Sequence, residues 1–160
     1  MKYKLFVMDV DGTLTDGKIY MSAQGEAYKV FDIKDGYGIK HILPQMGITP
    51  VIITGRKSDI VQRRAEELGI ELIYQGISNK LCLLEKIINE QNCTLDEVVY
   101  IGDDLNDLEC IKKAGLGVCP VDAQEDVKNG ANYITVRNGG NGAVREVIDY
   151  LSSEQGKGML

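Results

Sequence analysis

The sequence predicts an α/β fold in which one doubly wound parallel sheet carries helices on both faces. Three observations support this prediction: short apolar runs alternate regularly with helix-period segments, two of the best apolar runs end in acidic residues, and the chain has 160 residues. Strand–helix alternation of this kind is typical of a parallel sheet that is buried on both faces. A chain of this length suits a single domain, which buries roughly 70% of its unfolded surface.

Six apolar runs of three to six residues, rich in valine and isoleucine, have the composition of buried strands. They lie at residues 4–9, 50–54, 71–74, 98–102, 117–119 and 133–136. Between them, apolar residues recur every three or four positions, which indicates helices. These predicted helices are residues 36–47, 58–68, 80–89, 105–114, 124–128 and 142–151, with Ser58 as a candidate N-cap.

One stretch departs from this alternation. Residues 17–33 read as two alternating strands around a turn at Ala23–Gly25, which predicts a β-hairpin flap. The last residues, 153–160, contain two glycines and no periodicity, so we expect a flexible tail. The predicted organisation is therefore one domain over residues 1–152, with the flap inside it and the tail after it.

Composition excludes several classes of function. The formal net charge is −6 and the pI is about 4.8, which argues against nucleic acid as a partner because phosphate backbones attract basic surfaces. No apolar run approaches the ~20 residues of a membrane helix, and no signal segment opens the chain. Four cysteines without a CxxC pair are expected to be reduced core thiols, which suggests a cytoplasmic protein.

Acidic residues follow the predicted strands at one end. Asp9 and Asp11 follow the first strand, and Asp103, Asp104 and Asp107 follow the strand at 98–102. Ligands bind beyond the carboxyl ends of strands in open parallel sheets, so these acids should converge. Converging carboxylates repel one another unless a cation lies between them, and Mg²⁺ prefers such oxygen ligands. The sequence therefore predicts a magnesium site for a small anionic substrate.

The motifs together resemble those of haloacid dehalogenase superfamily phosphatases, whose fold is Rossmann-like. The likeness lies in Asp9-Val10-Asp11-Gly12-Thr13, Thr54, Lys80 and Gly102-Asp103-Asp104-Leu105-Asn106-Asp107. It implies that Asp9 is the nucleophile, that Asp11 is the general acid and base, and that Thr54 and Lys80 hold the phosphoryl oxygens. It also implies Mg²⁺ ligation by Asp9, Asp103 and the main-chain carbonyl of Asp11.

Most proteins of this superfamily carry an inserted cap domain, and this chain has no room for one. About 45 residues separate Asp9 from Thr54, and about 26 separate Thr54 from Lys80. A compact domain needs at least ~50 residues. We therefore expect a capless protein with a hairpin flap at most.

Four longer stretches give a finer match: residues 35–39, 54–58, 74–81 and 139–146. They resemble the branch of the superfamily that hydrolyses an eight-carbon acidic sugar phosphate, 3-deoxy-D-manno-octulosonate 8-phosphate. This resemblance implies a homotetramer that shares its active sites. The implied substrate contacts are Asp11, Asp32, Lys34, Asp35, Gly36, Lys40, Gly55, Arg56, Arg64 and Lys80. Lys34 and Lys40 stand where arginine is common, and lysine lacks the bidentate fork of arginine.

Two alternatives stay open from the sequence. One is a phosphatase for a nine-carbon, sialic-type acid 9-phosphate, although relatives of that kind tend to have an acidic residue at the position of Arg56. The other is a noncatalytic oligomerisation module, which would usually lose motif acids that this chain retains. The roles of Asp104 and Asp107 are not assigned by the sequence.

Overall fold

The computed structural model describes residues 2–157 and has a six-stranded, entirely parallel sheet at its centre. The strand order is β5-β4-β1-β6-β7-β8, which is a doubly wound arrangement with the first strand in the middle. The strands are β1 (Leu5–Met8), β4 (Thr49–Ile53), β5 (Leu72–Tyr74), β6 (Val98–Ile101), β7 (Leu116–Cys119) and β8 (Tyr133–Ile134). The predicted fold class is confirmed.

Side chains of the central strands alternate between two hydrophobic cores. From β1, Phe6 and Met8 enter one core, whereas Leu5 and Val7 enter the other, and all four are buried. This alternation follows from the two-residue period of a strand. The chain has apolar residues at consecutive β1 positions because helices cover both faces of the sheet.

The first core is covered by α2 (Asp59–Leu68), α6 (Ala143–Lys157) and a helical stretch over residues 33–46. That stretch was predicted as one helix over 36–47, and this detail is wrong. It begins three residues earlier as α1 (Ile33–Tyr37), widens into a π-turn at Gly38–Ile42 and tightens into a 3₁₀ turn at Leu43–Met46. Pro44 lies in the 3₁₀ turn and has no N–H for a regular α-helical bond.

The second core is covered by α3 (Lys80–Glu90), α4 (Leu108–Lys113) and α5 (Glu125–Gly130). Short 3₁₀ turns at Leu95–Glu97 and Leu105–Asp107 precede β6 and α4. At the other end of the chain, α6 continues beyond the predicted residue 151 to Lys157. The flexibility of 153–160 stays a prediction, and residues 158–160 lie outside the described residues.

The predicted hairpin is present as a separate two-stranded antiparallel sheet, β2 (Tyr20–Ser22) and β3 (Gly25–Tyr28). The rings of Tyr20 and Tyr28 stack across it with centroids 4.7 Å apart. Several of its apolar side chains are exposed to solvent: Ile19, Met21, Tyr28 and Val30. Residues 2–157 contain no inserted cap domain, so the hairpin is the flap that the sequence predicts.

All four cysteines are free thiols, but the expectation that all lie in the core is wrong. Cys110 and Cys119 are buried, Cys93 is half-buried and Cys82 is exposed near the start of α3. Among the described helices, none combines the length and apolar character needed to cross a membrane.

Packing in the second hydrophobic core should stabilise the contact of α3 with the sheet. Ile87 is 1% exposed and lies in that core, so Ile87→Ala should lower the free energy of unfolding by about 2–5 kcal/mol through lost burial and a residual cavity. Chemical denaturation measures the change. The exposed Lys86→Ala on the same helix is the control, and an equal loss in both variants would contradict this account.

Candidate active site

The carboxyl ends of three adjacent strands bring the sequence motifs together. Asp9 follows β1, Thr54 follows β4 and Asp103 follows β6 after Gly102. The backbone continues the sheet at these positions, because Asp9 N–H donates to the carbonyl of Ile101 at 3.0 Å. Parallel pairing of β1 with both neighbours therefore fixes the relative positions of all three motifs.

A cavity of about 170 Å³ opens at this edge of the sheet. It is lined by Asp9, Asp11, Thr54, Gly55, Arg56, Asp103, Asp104 and Asn106. The lining therefore includes the expected nucleophile Asp9, the expected general acid and base Asp11, and the expected phosphate contact Thr54. It also includes one cation, Arg56, whose side chain is half-exposed. It is the part of the predicted site that the structure assembles within one chain.

Lys80 lies beneath the cavity as the centre of a buried ion cluster. Its Nζ is 2.8 Å from Asp9 Oδ1 and 2.8 Å from Asp107 Oδ1, and its side chain is fully buried. Burial opposes the charge of Lys80, but the two carboxylates outweigh it and raise the pKa of the amine. Lys80 is therefore a permanent cation, with two of its three donors engaged.

Asp107 belongs to this ion cluster, and the sequence analysis did not assign it a role. Its Oδ1 accepts from Lys80 and from the hydroxyl of Tyr100, the latter at 2.8 Å. Its Oδ2 accepts from the backbone N–H groups of Asp103 and Asp104 at 3.2 and 3.4 Å. With both oxygens occupied, Asp107 holds Lys80 and the loop after β6. The signal in the sequence was its place as the last acid of the Gly102–Asp107 motif, but spacing alone does not show that it contacts Lys80.

The carboxylates of Asp9 and Asp103 fit a divalent cation. Carboxylate oxygens of Asp9, Asp103 and Asp107 lie within 4.8 Å of one another. Burial first, and neighbouring carboxylates second, raise the pKa of Asp9 to about 6 and that of Asp103 to about 9. Asp103 Oδ1 is buried without a hydrogen-bond partner. An acceptor of this kind is the group that a hard cation satisfies, and Asp107 is already saturated.

The backbone conformation at position 12 explains why the first motif contains a glycine. The φ of Gly12 is +88°, a conformation that side chains rarely adopt, and a Cβ there would overlap the carboxylate of Asp103. The C-terminal loop closes on the same place, since Gly140 N–H donates to the carbonyl of Thr13 at 2.9 Å. A Cβ on Gly139 would likewise overlap the carbonyl of Gly12. The catalytic loop is therefore enclosed by backbone from both ends of the chain.

Asp11 is held by the hairpin of its own chain. Lys29, directly after β3, places its Nζ 2.6 Å from Asp11 Oδ1 and 3.0 Å from Glu26 Oε2. Sequence reasoning did not find Lys29 or Glu26, because charged residues in an alternating hairpin normally face solvent. Only the folded arrangement shows that the Lys29 side chain is 3% exposed.

The hairpin also contacts the loop after β4. Glu26 accepts from Ser58 Oγ at 2.8 Å and from Arg56 Nη2 at 3.2 Å. Ser58 was expected to cap α2, and it occupies the N-cap position, but its side chain makes no cap hydrogen bond. The predicted N-cap position is therefore confirmed, and the hydroxyl donates to Glu26.

The remaining predicted sugar contacts do not line the cavity within this chain. Asp32 caps α1 by accepting from the N–H groups of Lys34 and Asp35. Asp35 and Gly36 lie with Arg64 around Phe31, and Asp35 Oδ1 accepts from Arg145 N–H at 2.8 Å. Burial raises the pKa of Asp35 to about 6.

Two predicted basic contacts lie still further along the surface. Lys40 Nζ donates to the carbonyl of Glu67 at 2.8 Å, and Lys34 faces a separate surface cavity with Arg137 and Arg145. The substrate roles of Asp32, Lys34, Asp35, Gly36, Lys40 and Arg64 stay predictions. Within a single chain, only Asp11, Gly55 and Arg56 of the predicted sugar contacts line the cavity, with Lys80 beneath it.

Known proteins resemble this chain over nearly its whole length. Residues 70–148 match haloacid dehalogenase-like hydrolases. The 3-deoxy-D-manno-octulosonate 8-phosphate phosphatase of Escherichia coli K12 is 45% identical over 154 residues, which are 96% of this chain and 81% of that protein.

Solved structures agree with this likeness. The corresponding phosphatase of Moraxella catarrhalis, in complex with magnesium, phosphate and KDO, is 44% identical with a TM-score of 0.92 over 95% of this chain and 87% of that one. The cobalt-bound phosphatase of Haemophilus influenzae is 37% identical, with a TM-score of 0.93 over 98% and 91% of the two chains.

The class of protein now follows from two independent sources. A carboxylate at the end of β1, a buried lysine behind it and the matched residues 70–148 define a haloacid dehalogenase-like hydrolase without a cap in the described residues. The sequence identity and the coverage of the matched phosphatases narrow the assignment from this superfamily to one family. The chain belongs to the family of 3-deoxy-D-manno-octulosonate 8-phosphate phosphatases.

The acidic cluster should make metal-free stability depend on pH. Because folding raises the pKa of Asp9 and of Asp103 above 3.8, their contribution is full at low pH and is lost as pH rises through about 6 and about 9. Thermal unfolding with a chelator should show this loss, and Mg²⁺ should stabilise the protein most at alkaline pH. In Asp103→Asn both effects should shrink; an unchanged pH profile and Mg²⁺ response would contradict the assignment.

Proposed function

We propose that this protein is a Mg²⁺-dependent phosphatase that hydrolyses 3-deoxy-D-manno-octulosonate 8-phosphate through an aspartyl-phosphate intermediate. The observation that carries the proposal is the carboxylate of Asp9, which lines the cavity while Lys80 neutralises it from below at 2.8 Å. A carboxylate attacks a phosphate dianion poorly unless nearby cations offset their repulsion. Family membership supplies the substrate class.

The reaction has two halves that use the same two acids. In the first, a carboxylate oxygen of Asp9 attacks phosphorus in line with the sugar oxygen, and the carboxyl of Asp11 protonates that oxygen as the P–O bond breaks. In the second, Asp11 takes a proton from water as the water attacks phosphorus, which releases phosphate and restores Asp9. Asp9 and Asp11 both line the cavity, as such an exchange requires.

The oxygens of the phosphoryl group carry most of the charge in the transition state, so positioned cations and donors supply most of the catalysis. Thr54 lines the cavity and Lys80 retains one donor beyond those used by Asp9 and Asp107. Asp9, Asp103 and the carbonyl of Asp11 would hold Mg²⁺, which supplies charge neutralisation at the phosphoryl oxygens. These residue roles are part of the proposal.

The sugar end of the substrate carries a carboxylate, and Arg56 is the cation that lines the cavity. Its guanidinium contacts Glu26 but its side chain is 45% exposed, so it remains accessible to an anion. Guanidinium groups bind carboxylates through a planar fork. Arg56 can therefore bind the carboxylate of a sugar acid, and membership of the family favours the eight-carbon acid over the nine-carbon alternative.

We further propose a cytoplasmic homotetramer in which neighbouring chains complete the site. The cavity of about 170 Å³ is smaller than the roughly 300–1,000 Å³ of most small-molecule sites. Exposed Ile19, Met21 and Val30 give the hairpin an apolar surface that one domain leaves uncovered. A neighbour that packs there would add walls to the site and bring predicted contacts such as Lys34 or Arg64 towards a second cavity.

Asp9→Asn tests the chemistry. The amide is isosteric but cannot attack phosphorus, so phosphate release from 3-deoxy-D-manno-octulosonate 8-phosphate should fall by at least about a thousandfold with little change in thermal stability. The wild type should require Mg²⁺ and prefer this substrate to a nine-carbon acid 9-phosphate and to hexose phosphates. Appreciable turnover by the variant would refute the covalent mechanism, and a preference for another phosphate would refute the substrate.

Met21→Glu tests the assembly. Met21 is 65% exposed on the hairpin, so a charge there should leave the folded chain intact but disfavour an apolar interface. Light scattering should show smaller particles than the wild-type tetramer, with a parallel loss of kcat/KM. Val136→Glu is the matched control, because Val136 is 85% exposed in the loop after β8 and is not part of the hairpin. A fully active wild-type monomer at assay concentration would exclude the shared site.

A further inference from the structure

The ammonium group of Lys29 lies between two carboxylates at the mouth of the active site. Its side chain is 3% exposed, and its Nζ contacts Asp11 at 2.6 Å and Glu26 at 3.0 Å. A lysine loses much side-chain freedom and hydration when it is buried, so it stays buried only where partners hold it. Lys29 therefore has one well-defined position, in contrast to the exposed Lys18 on the same hairpin.

The contact with Asp11 engages one oxygen of the carboxylate. Lys29 binds Oδ1, and no other described residue forms a hydrogen bond or ion pair with that side chain. Asp11 nevertheless lines the cavity, with its side chain 25% exposed. A carboxylate anchored through one oxygen keeps the other oxygen available for a proton, in a direction that the anchor restricts.

Glu26 connects this anchor to a third segment. It accepts from Lys29, from Ser58 and from Arg56, and the last two belong to the loop that follows Thr54. The ion pairs thus join the first motif, the hairpin and the loop after β4. Asp11 and Arg56, the first and last residues of this series of ion pairs, line the same cavity.

We propose that Lys29 is a positioning residue that fixes the carboxyl group of Asp11 for proton transfer. Because Lys29 directly follows the second strand of the hairpin, that transfer then depends on the hairpin being packed against the first motif. This inference rests on the proposed function, in which Asp11 protonates the leaving oxygen. Lys29 touches no reacting atom in this role. It restricts the rotation of Asp11 through Oδ1, and Glu26 holds Lys29 in place.

The leaving group provides a selective readout. A sugar alkoxide is a poor leaving group and needs the proton of Asp11, whereas 4-nitrophenolate leaves without one. Positioned general acids contribute about 10²–10⁴-fold to such steps. The second half of the reaction also uses Asp11 and is common to both substrates, so the selective readout is kcat/KM, which reports the steps up to release of the leaving group. A variant that only loosens the fold should lower kcat/KM alike for both substrates, but a variant that misplaces Asp11 should lower it more for the sugar phosphate.

The experiment measures kcat and KM of the Lys29→Met protein with 3-deoxy-D-manno-octulosonate 8-phosphate and with 4-nitrophenyl phosphate. We expect kcat/KM to fall at least about tenfold more for the sugar phosphate than for 4-nitrophenyl phosphate, because only the sugar phosphate loses part of the general-acid contribution. For the sugar phosphate the loss should appear in kcat rather than in KM. Lys29→Arg, which keeps a cation, should recover part of that loss. Lys18→Met is the control and should match the wild type on both substrates.

Asp11→Asn calibrates the readout by removing the proton donor itself. If it is selective for the sugar phosphate and Lys29→Met is not, the inference about Lys29 is wrong while the role of Asp11 stands. If Asp11→Asn lowers kcat/KM equally for both substrates, the assignment of Asp11 as proton donor to the leaving oxygen fails and the inference fails with it. A rise in KM with unchanged kcat in Lys29→Met would make Lys29 a sugar ligand and also overturn the proposal. Lys29→Gln repeats the test if circular dichroism shows that the Met variant is unfolded.

Discussion

The ion cluster of Asp9, Lys80 and Asp107 is the constraint on which the remaining site depends. Two carboxylates can share buried space only because the Lys80 ammonium lies 2.8 Å from each of them. To bring the three charges together, β1 must end beside β6 and α3 must begin at Lys80 behind them. The strand order and the start of α3 together therefore create the ion cluster that neutralises the carboxylate of Asp9.

The sequence predicted the sheet, the hairpin and the central acids because each depends on local pattern. Apolar runs mark buried strands, and parallel strands place their carboxyl ends at one edge, so Asp9, Thr54 and Asp103 had to meet. The 33–46 stretch was mispredicted as one helix because periodicity does not report how Pro44 divides it. Asp107 was visible but unassigned, since its partner Lys80 is 27 residues away and only the fold joins them.

Contacts made by the hairpin were beyond sequence reasoning for a different reason. Lys29 is 18 residues from Asp11, and Glu26 is 32 residues from Ser58, in a segment whose pattern predicts solvent-facing charges. Ser58 shows the limit of a local rule. The preference of helix starts for serine identified the N-cap position correctly, but the hydrogen bond of its hydroxyl to Glu26 depends on a contact that is distant in sequence. The predicted sugar contacts outside the cavity share this dependence on distant partners, and a single chain does not bring them to Asp9.

The closure of the C-terminal loop on Gly12 and Thr13 has a consequence for biosynthesis. Asp9 is synthesised before the residues that close its loop, because the backbone of Gly139 and Gly140 is made more than a hundred residues later. Central strand β1 also pairs with β4 and β6, which follow it at long sequence separation. A nascent chain therefore completes this site late, and products truncated before Gly139 should lack the backbone that closes the loop at Gly12 and Thr13.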